Sequence, residues 1–220
     1  MKIVVKVGGA VADEAAATIL ALVADHDVCV VHGAGPQISR EMTRLGLPVR
    51  FVGGRRVTSA AALALVRRSL ALVNDSLCEA IGQRAVGLLG DEIGLRAEQV
   101  RELGHVGDPL PSRPPAVESA LARGLIPVVA PIAAGPLNVN ADEAAAALAV
   151  GLGADRILFV TDVPGVLLDG SVAPTIAASE AVRLLDTGAL EGGIVPKLRA
   201  AVTAARLGVE ADIGATAVVA

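Results

Sequence analysis

Three residues of this sequence have the type and placement needed to handle a polyanion. Lys6 stands inside the apolar run KIVVKV, just ahead of two glycines. Lysine is among the residues least often fully buried, so its ammonium either snorkels to water or is aimed at something negative. Lys197 falls in the first turn of a helix predicted to start near Pro196, a favoured first-turn residue. There a cation faces the positive end of the helix dipole, a local conflict of the kind that marks function. Asp142 opens a helix just after LNVN, which holds two of the chain's three asparagines, Asn138 and Asn140. Of 19 basic residues only Lys2, Lys6 and Lys197 are lysine. An interior lysine in an otherwise arginine-using sequence indicates a compact point charge where a planar fork would not serve.

Glycine loops close three predicted strands: KVGGA (6–10), HGAGPQ (32–37) and TDVPGV (161–166). In an open parallel sheet, ligands bind beyond the carboxyl ends of strands, where backbone N–H groups and helix N-termini gather. Glycine there lets phosphate oxygens approach the backbone. Two familiar phosphate loops are absent. No lysine follows a glycine, as a P-loop requires, and Ile38 stands where a dinucleotide fingerprint beginning Gly33-Ala34-Gly35 needs its third glycine. Arg55 and Arg56 precede a helix cap at Thr58 or Ser59, where an arginine can fork onto a carboxylate or phosphate or else remain a solvated pair. Asn138 and Asn140 alternate in an extended segment and could present both amides to one face; ordinary capping is the other reading of Asn140 and Asp142. His32 either packs or meets a ligand. The three histidines and the acids show no metal-ligand spacing.

The elements that must position these residues follow from the hydrophobic pattern. Apolar, β-branched runs at 3–7, 28–31, 85–90, 125–132 and 156–163 alternate with helical stretches at about 13–24, 36–46, 59–83 and 141–152, and two shorter helices follow, the last near 195–207. Continuously apolar strands separated by helices predict a mainly parallel sheet covered on both faces, with right-handed crossovers. The polar, Gly- and Pro-rich segment 91–115 breaks this rhythm and reads as a hairpin or flap. No internal repeat or sharp domain boundary interrupts the 220 residues.

Composition narrows the function classes. A net charge of −4, two Phe and no Tyr or Trp leave neither a basic footprint nor a stacking platform for nucleic acid. Hydrophobic content is 53% and mean hydropathy +0.62, yet no run reaches the roughly 18 uninterrupted apolar residues of a membrane span. Cys29 and Cys78 form no metal-spaced pair and read as small hydrophobes of a reducing, cytoplasmic compartment.

In order along the chain, KVGGA, VVHGAGPQI, GGRRVTS, ELGHVGDP, LIPVVAP, LNVNADEAAAALAVGLGAD, ILFVTDVPGVL and GGIVPKLRAAVTAA resemble the amino acid kinase family, and within it the acetylglutamate kinase branch. The resemblance implies one αβα sandwich domain over 1–220. Its N-terminal half, about 1–133, would take the amino-acid substrate, and its C-terminal half, about 134–220, the nucleotide. It implies that Lys6 contacts the transferring phosphoryl group, that Lys197 serves the nucleotide side and that Asp142 orients both. By the same match, Ala34, Gly35, Arg56 and Asn138 meet the substrate, with Arg56 on its α-carboxylate. Gly8, Gly9 and the loop Asp162, Val163, Pro164, Gly165, Val166 and Leu167 meet the nucleotide. The implied reaction is phosphorylation of the γ-carboxylate of N-acetyl-L-glutamate by ATP with Mg²⁺, the second step of arginine biosynthesis, with Mg²⁺ carried by the nucleotide rather than a protein cage. Phosphoryl transfer to a carboxylate needs no strong base, because the nucleophile is already ionised near neutral pH. The work left is to hold two anions in line and neutralise their charge. Two departures stand out: Ala34 replaces a third glycine, and the chain closes soon after GVEADIG. With no helical extension ahead of Met1, the resemblance implies an arginine-insensitive homodimer. The alternatives on this fold are a kinase of carrier-linked aminoadipate or glutamate and a non-catalytic binding protein.

Overall fold

The computed structural model describes residues 1–8, 12–161, 163–168 and 170–220, the side chains of 12–14 excepted. The first half runs β1 (Lys2–Val7), α1 (Ala12–Leu22), β2 (Asp27–His32), α2 (Gly35–Arg44), β3 (Phe51–Val52), β4 (Arg55–Arg56), α3 (Ala60–Ile81), β5 (Ala85–Leu89) and α4 (Gly90–Ile93). It continues with β6 (Ala97–Gln99), a 3₁₀ turn at Arg101–Leu103, β7 (Val106–Pro109), α5 (Pro115–Ala122), β8 (Ile126–Ala130) and β9 (Ile132–Ala133). The remainder is β10 (Leu137–Val139), α6 (Ala141–Leu152), β11 (Arg156–Val160), β12 (Leu167–Leu168), β13 (Ser171–Val172), β14 (Thr175–Ala177), α7 (Ala178–Asp186), α8 (Ile194–Arg206), β15 (Glu210–Ile213) and β16 (Thr216–Val219).

Eight strands form the central sheet in the order β14-β16-β15-β11-β1-β2-β8-β5. Every pair is parallel except β15–β16, a hairpin whose first strand lies within GVEADIG. Strand alternation sorts β1 onto two faces. Ile3, Val5 and Val7 pack with Ile19 of α1 and Leu77 and Ile81 of α3, while Val4 faces the alanine-rich α6 and, beyond it, α8. The sheet is therefore covered on both sides, an αβα sandwich as the alternating pattern predicts. Residues Ala144–Ala149 of α6 are all buried, because alanine lets the helix lie close to the sheet on one side and to α8 on the other.

The hairpin expected within 91–115 is β6–β7, which pairs antiparallel and joins β10 and β9 in a second sheet of four strands. Gly104 and Gly107 of ELGHVG have packing reasons to be glycine. A Cβ at Gly104 would collide with the Thr58 carbonyl oxygen, and one at Gly107 would press on Ala97 and Leu137. The ribbon β3–β4 belongs to neither sheet. It stands alone near the mouth of the cavity described next.

Candidate active site

β1 delivers Lys6 to the face covered by α6, two residues on from Val4. Its Nζ lies 2.8 Å from Oδ1 of Asp142, the second residue of α6, and both side chains are buried. Asn140 is the N-cap of this helix: its Oδ1 accepts from the N–H groups of Asp142 (2.9 Å) and Glu143 (3.2 Å), while its Nδ2 donates to the Gly54 carbonyl (3.0 Å). Capping and site geometry thus coexist, since the cap fixes the turn on which Asp142 stands. Lys2, on the same face of β1, donates from Nζ to the Leu152 carbonyl at the other end of α6 (2.7 Å), where a cation suits the dipole.

Arg56 is 5% exposed, and its guanidinium is held by the Gly35 carbonyl (3.0 Å), Ser39 Oγ (2.8 Å) and Met42 Sδ (3.4 Å), with the Phe51 ring 4.5 Å away. Among the described residues no carboxylate lies within ion-pair distance of it. Burial pulls its pKa below the ordinary arginine value. Thr58, fully buried, donates to the Arg56 carbonyl (2.7 Å) and accepts from Asn138 Nδ2 (3.0 Å), tying the asparagine on β10 to the arginine on β4. The backbone of His105 continues the link: its N–H donates to the Thr58 carbonyl (2.8 Å) and its carbonyl accepts from the Asn138 N–H (2.9 Å).

Lys6, Gly8, Ala34, Gly35, Arg56, Asn138, Asp142 and Lys197 all line one cavity of about 520 Å³, joined by Gly33, Pro131 and Thr161 at the carboxyl ends of β2, β8 and β11. This is where an open parallel sheet binds its ligand. Ala34, the N-cap of α2, has a negative φ of −135°, so the position does not demand glycine. α8 begins at Ile194, so Pro196 is its third residue rather than its first, and Lys197 closes the first turn, half-buried, with Nζ 3.3 Å from the Gly193 carbonyl.

Gly9 and Asp162 lie outside the described residues. Val163 to Leu167 are not part of the cavity lining. Gly165 (φ +151°) has no room for a Cβ beside Val172 and Thr216. Val166 is buried in the core, and its N–H donates to Thr216 Oγ1 (2.8 Å). His32 also stands apart from the lining: its Nε2 takes the Asn74 amide at 3.0 Å, and burial pulls its pKa down to about 4, leaving a neutral imidazole. Burial pushes the Cys29 thiol up to about 12, which leaves it inert. The sequence offers Thr58 only as an alternative to Ser59 for the cap of α3, and Ser59 is that cap, accepting from the Ala62 N–H (3.2 Å); Ser39 and Phe51 carry no distinct signal in the sequence.

The amino acid kinase family model matches residues 1–214. The acetylglutamate kinase of Rubrobacter xylanophilus is 43% identical over 221 residues, covering 96% of this chain and 87% of that protein. The acetylglutamate kinase of Roseiflexus castenholzii is 41% identical over 226 residues, covering 95% and 87%. Among solved structures, smu.665 from Streptococcus mutans UA159 matches with a TM-score of 0.89 at 30% identity, over 99% of this chain and 98% of that one.

Proposed function

The chain belongs to the amino acid kinase family, and from that premise we propose that it phosphorylates the γ-carboxylate of N-acetyl-L-glutamate at the expense of ATP, a step of arginine biosynthesis. The observation that carries this reading is the buried Arg56, which has no carboxylate partner among the described residues and shares a cavity with the Lys6–Asp142 pair. A dicarboxylic acceptor satisfies both ends of such a site. Its α-carboxylate neutralises Arg56, and its far carboxylate reaches the lysine at the sheet edge. The names of the relatives point to the same acceptor.

In the proposed reaction a γ-carboxylate oxygen forms a bond to the terminal phosphorus of ATP as the bond to the bridging oxygen breaks, giving the acyl phosphate and ADP. Lys6, fixed by Asp142, offers a point charge to the phosphoryl oxygens; Lys197 does the same from the nucleotide side. The backbone N–H groups of Ala34 and Gly35, in the turn after β2, add donors that need no reorganisation. Asn138, held by Thr58, orients the acceptor for in-line attack. Mg²⁺ bound with the nucleotide would supply neutralisation of phosphate charge. Val163, Pro164 and Leu167 remain the proposed edge of the nucleotide site, with Gly165 and Val166 shaping the turn from inside.

A homodimer in the cytoplasm completes the proposal. Its support is a groove of about 660 Å³ along α2 and α3 bordered by the exposed Leu45 and Leu72, together with two free cysteines. Among the described residues no helix is long and apolar enough to cross a membrane.

The deciding measurement is hydroxylamine trapping of acyl phosphate with ATP, Mg²⁺ and a panel of N-acetylglutamate, glutamate, aspartate and aminoadipate. N-acetylglutamate should be preferred; no product from it would overturn the assignment.

A further inference from the structure

Two tandem pairs of charged residues face each other across the cavity mouth. On β4, Arg55 precedes Arg56; at the start of α6, Asp142 precedes Glu143. Neighbouring residues on a strand point to opposite sides, and neighbours on a helix are about 100° apart. One member of each pair therefore turns to the reaction, Arg56 to the proposed carboxylate site and Asp142 to Lys6. The other members meet. Arg55 Nε lies 2.9 and 3.2 Å from the two carboxylate oxygens of Glu143, and Arg55 Nη2 lies 2.6 Å from Oδ1 of Asp108 on β7. The Arg55 and Glu143 side chains are 20% and 22% exposed, so water screens this pair less than a surface bridge.

The ribbon β3–β4 gives the cluster its significance. It has no strand neighbour in either larger sheet; a backbone bridge between Thr58 and Gly104 ties down the chain just past β4, and side chains hold the rest of the ribbon over the cavity. Its turn, with Gly53 and Gly54 both at positive φ (+56° and +82°), comes so close to α6 and α8 that a Cβ on Gly54 would touch Asn140 and Pro196, the residue before Lys197. Arg55 lines both the substrate cavity and a neighbouring cavity of about 680 Å³ between β7, α6, α7 and α8, which Glu143 and Asp108 also line.

We propose that Arg55 is a positioning residue for phosphoryl transfer: through Glu143 and Asp108 it sets the register of Arg56 against Asp142 and closes the substrate cavity toward its neighbour. The proposal rests on the reading that Arg56 holds the acceptor's carboxylate. Arg55 borders the substrate cavity, and its guanidinium is taken up by Glu143 and Asp108. A misplaced ribbon weakens the grip on the acceptor, while Lys6 and Lys197 keep their own supports.

A double-mutant cycle tests this. Arg55→Ala and Glu143→Ala should each raise KM for N-acetylglutamate by ~10-fold, lower kcat by no more than ~3-fold and leave KM for ATP within ~2-fold. The double variant should be no worse than the poorer single, and Arg55→Lys, which keeps one ion pair, should fall between. Asp108→Asn should have the smallest effect, since that carboxylate is 57% exposed. A merely structural role would lower thermal stability and leave the KM ratio untouched. That result, or effects that add in the double variant, overturns the proposal. Hydrogen exchange at the amides of 51–57 separates this question from the assignment of the substrate. If the wild-type protein makes no acyl phosphate from N-acetylglutamate, the proposed function falls. The register role then stands only if exchange there quickens alike in both singles and the double, and unchanged exchange ends it.

Discussion

Along the wall of the cavity that carries Arg56, the protein has arranged its polar groups before any ligand arrives. Arg56, Thr58, Asn138 and Asp142 are buried, and Thr58, the His105 backbone and Asn140 hold them in chains of hydrogen bonds. Along the wall that carries Lys197 the arrangement is looser. Lys197 is half-buried at the start of a helix whose N-cap, Gly193, gives no side-chain cap, and residues 191–193 are exposed. In the neighbouring loop, Gly165 and Val166 turn inward to Thr216. The contrast suggests a division of labour: a rigid side that selects a small acceptor by shape and charge, and an adaptable side that recognises phosphates chiefly by charge. Rigidity costs little when the ligand is small and always the same.

The strongest way to break the contrast is at Lys6, where the rigid side meets the phosphoryl group. Lys6→Met should lower turnover by ~10³-fold or more and destabilise the fold by about 3 kcal/mol, since it strands Asp142 as a buried unpaired charge. Lys6→Met with Asp142→Leu should recover stability in urea titrations but no turnover. If the single variant unfolds no more easily than wild type, the pair is not sealed from water as its burial implies.

Acid should find the rigid side first. His32 beneath the Gly33–Gly35 turn has a folded pKa of about 4 against 6.5 for an ordinary histidine. A depressed folded pKa leaves stability intact above about pH 6.5 and removes it as pH falls toward 4, because only the unfolded chain takes up the proton in that window. The loss totals on the order of 3 kcal/mol. Urea midpoints of wild type and His32→Gln, followed from pH 7 to 4.5, should show a shallower fall in the variant; parallel curves would mean that His32 does not sense acid.

Lys197→Arg sharpens the contrast from the looser side. It should cut kcat by ~100-fold with thermal stability unchanged, since a planar guanidinium cannot reproduce a point charge. Near-normal turnover would place Lys197 outside the chemistry. The smallest effect is expected at Arg56→Lys, where charge is kept but the fork is lost. KM for N-acetylglutamate should rise by ~10-fold with little change in kcat, whereas an unchanged KM would move the carboxylate site elsewhere.

Residue type made much of this site readable in advance. A lysine in an apolar strand conflicts with its local setting, an asparagine pair before a helix and an arginine ahead of a cap are residue types that can meet an anion, and all three line one cavity. The loop at 163–167 was harder, because a glycine that admits a phosphate and a glycine that admits Thr216 look alike in one dimension. The α8 boundary slipped by two residues because proline is tolerated throughout the first turn, not only at its first position. Arg55 and Glu143 are 88 residues apart, and nothing local announces their meeting. Only the fold brings them together.

The two lysines of β1 also bear on how this sequence can change length. Lys2 holds the last turn of α6 at Leu152 and Lys6 holds its first turn at Asp142, so strand and helix act as two rulers pinned at both ends. Removing one residue from either would swing later side chains out of phase, by half a turn on the strand or 100° on the helix. Insertions and deletions should therefore accumulate in connections such as 189–193, while the spans Lys2–Lys6 and Asp142–Leu152 keep a fixed count.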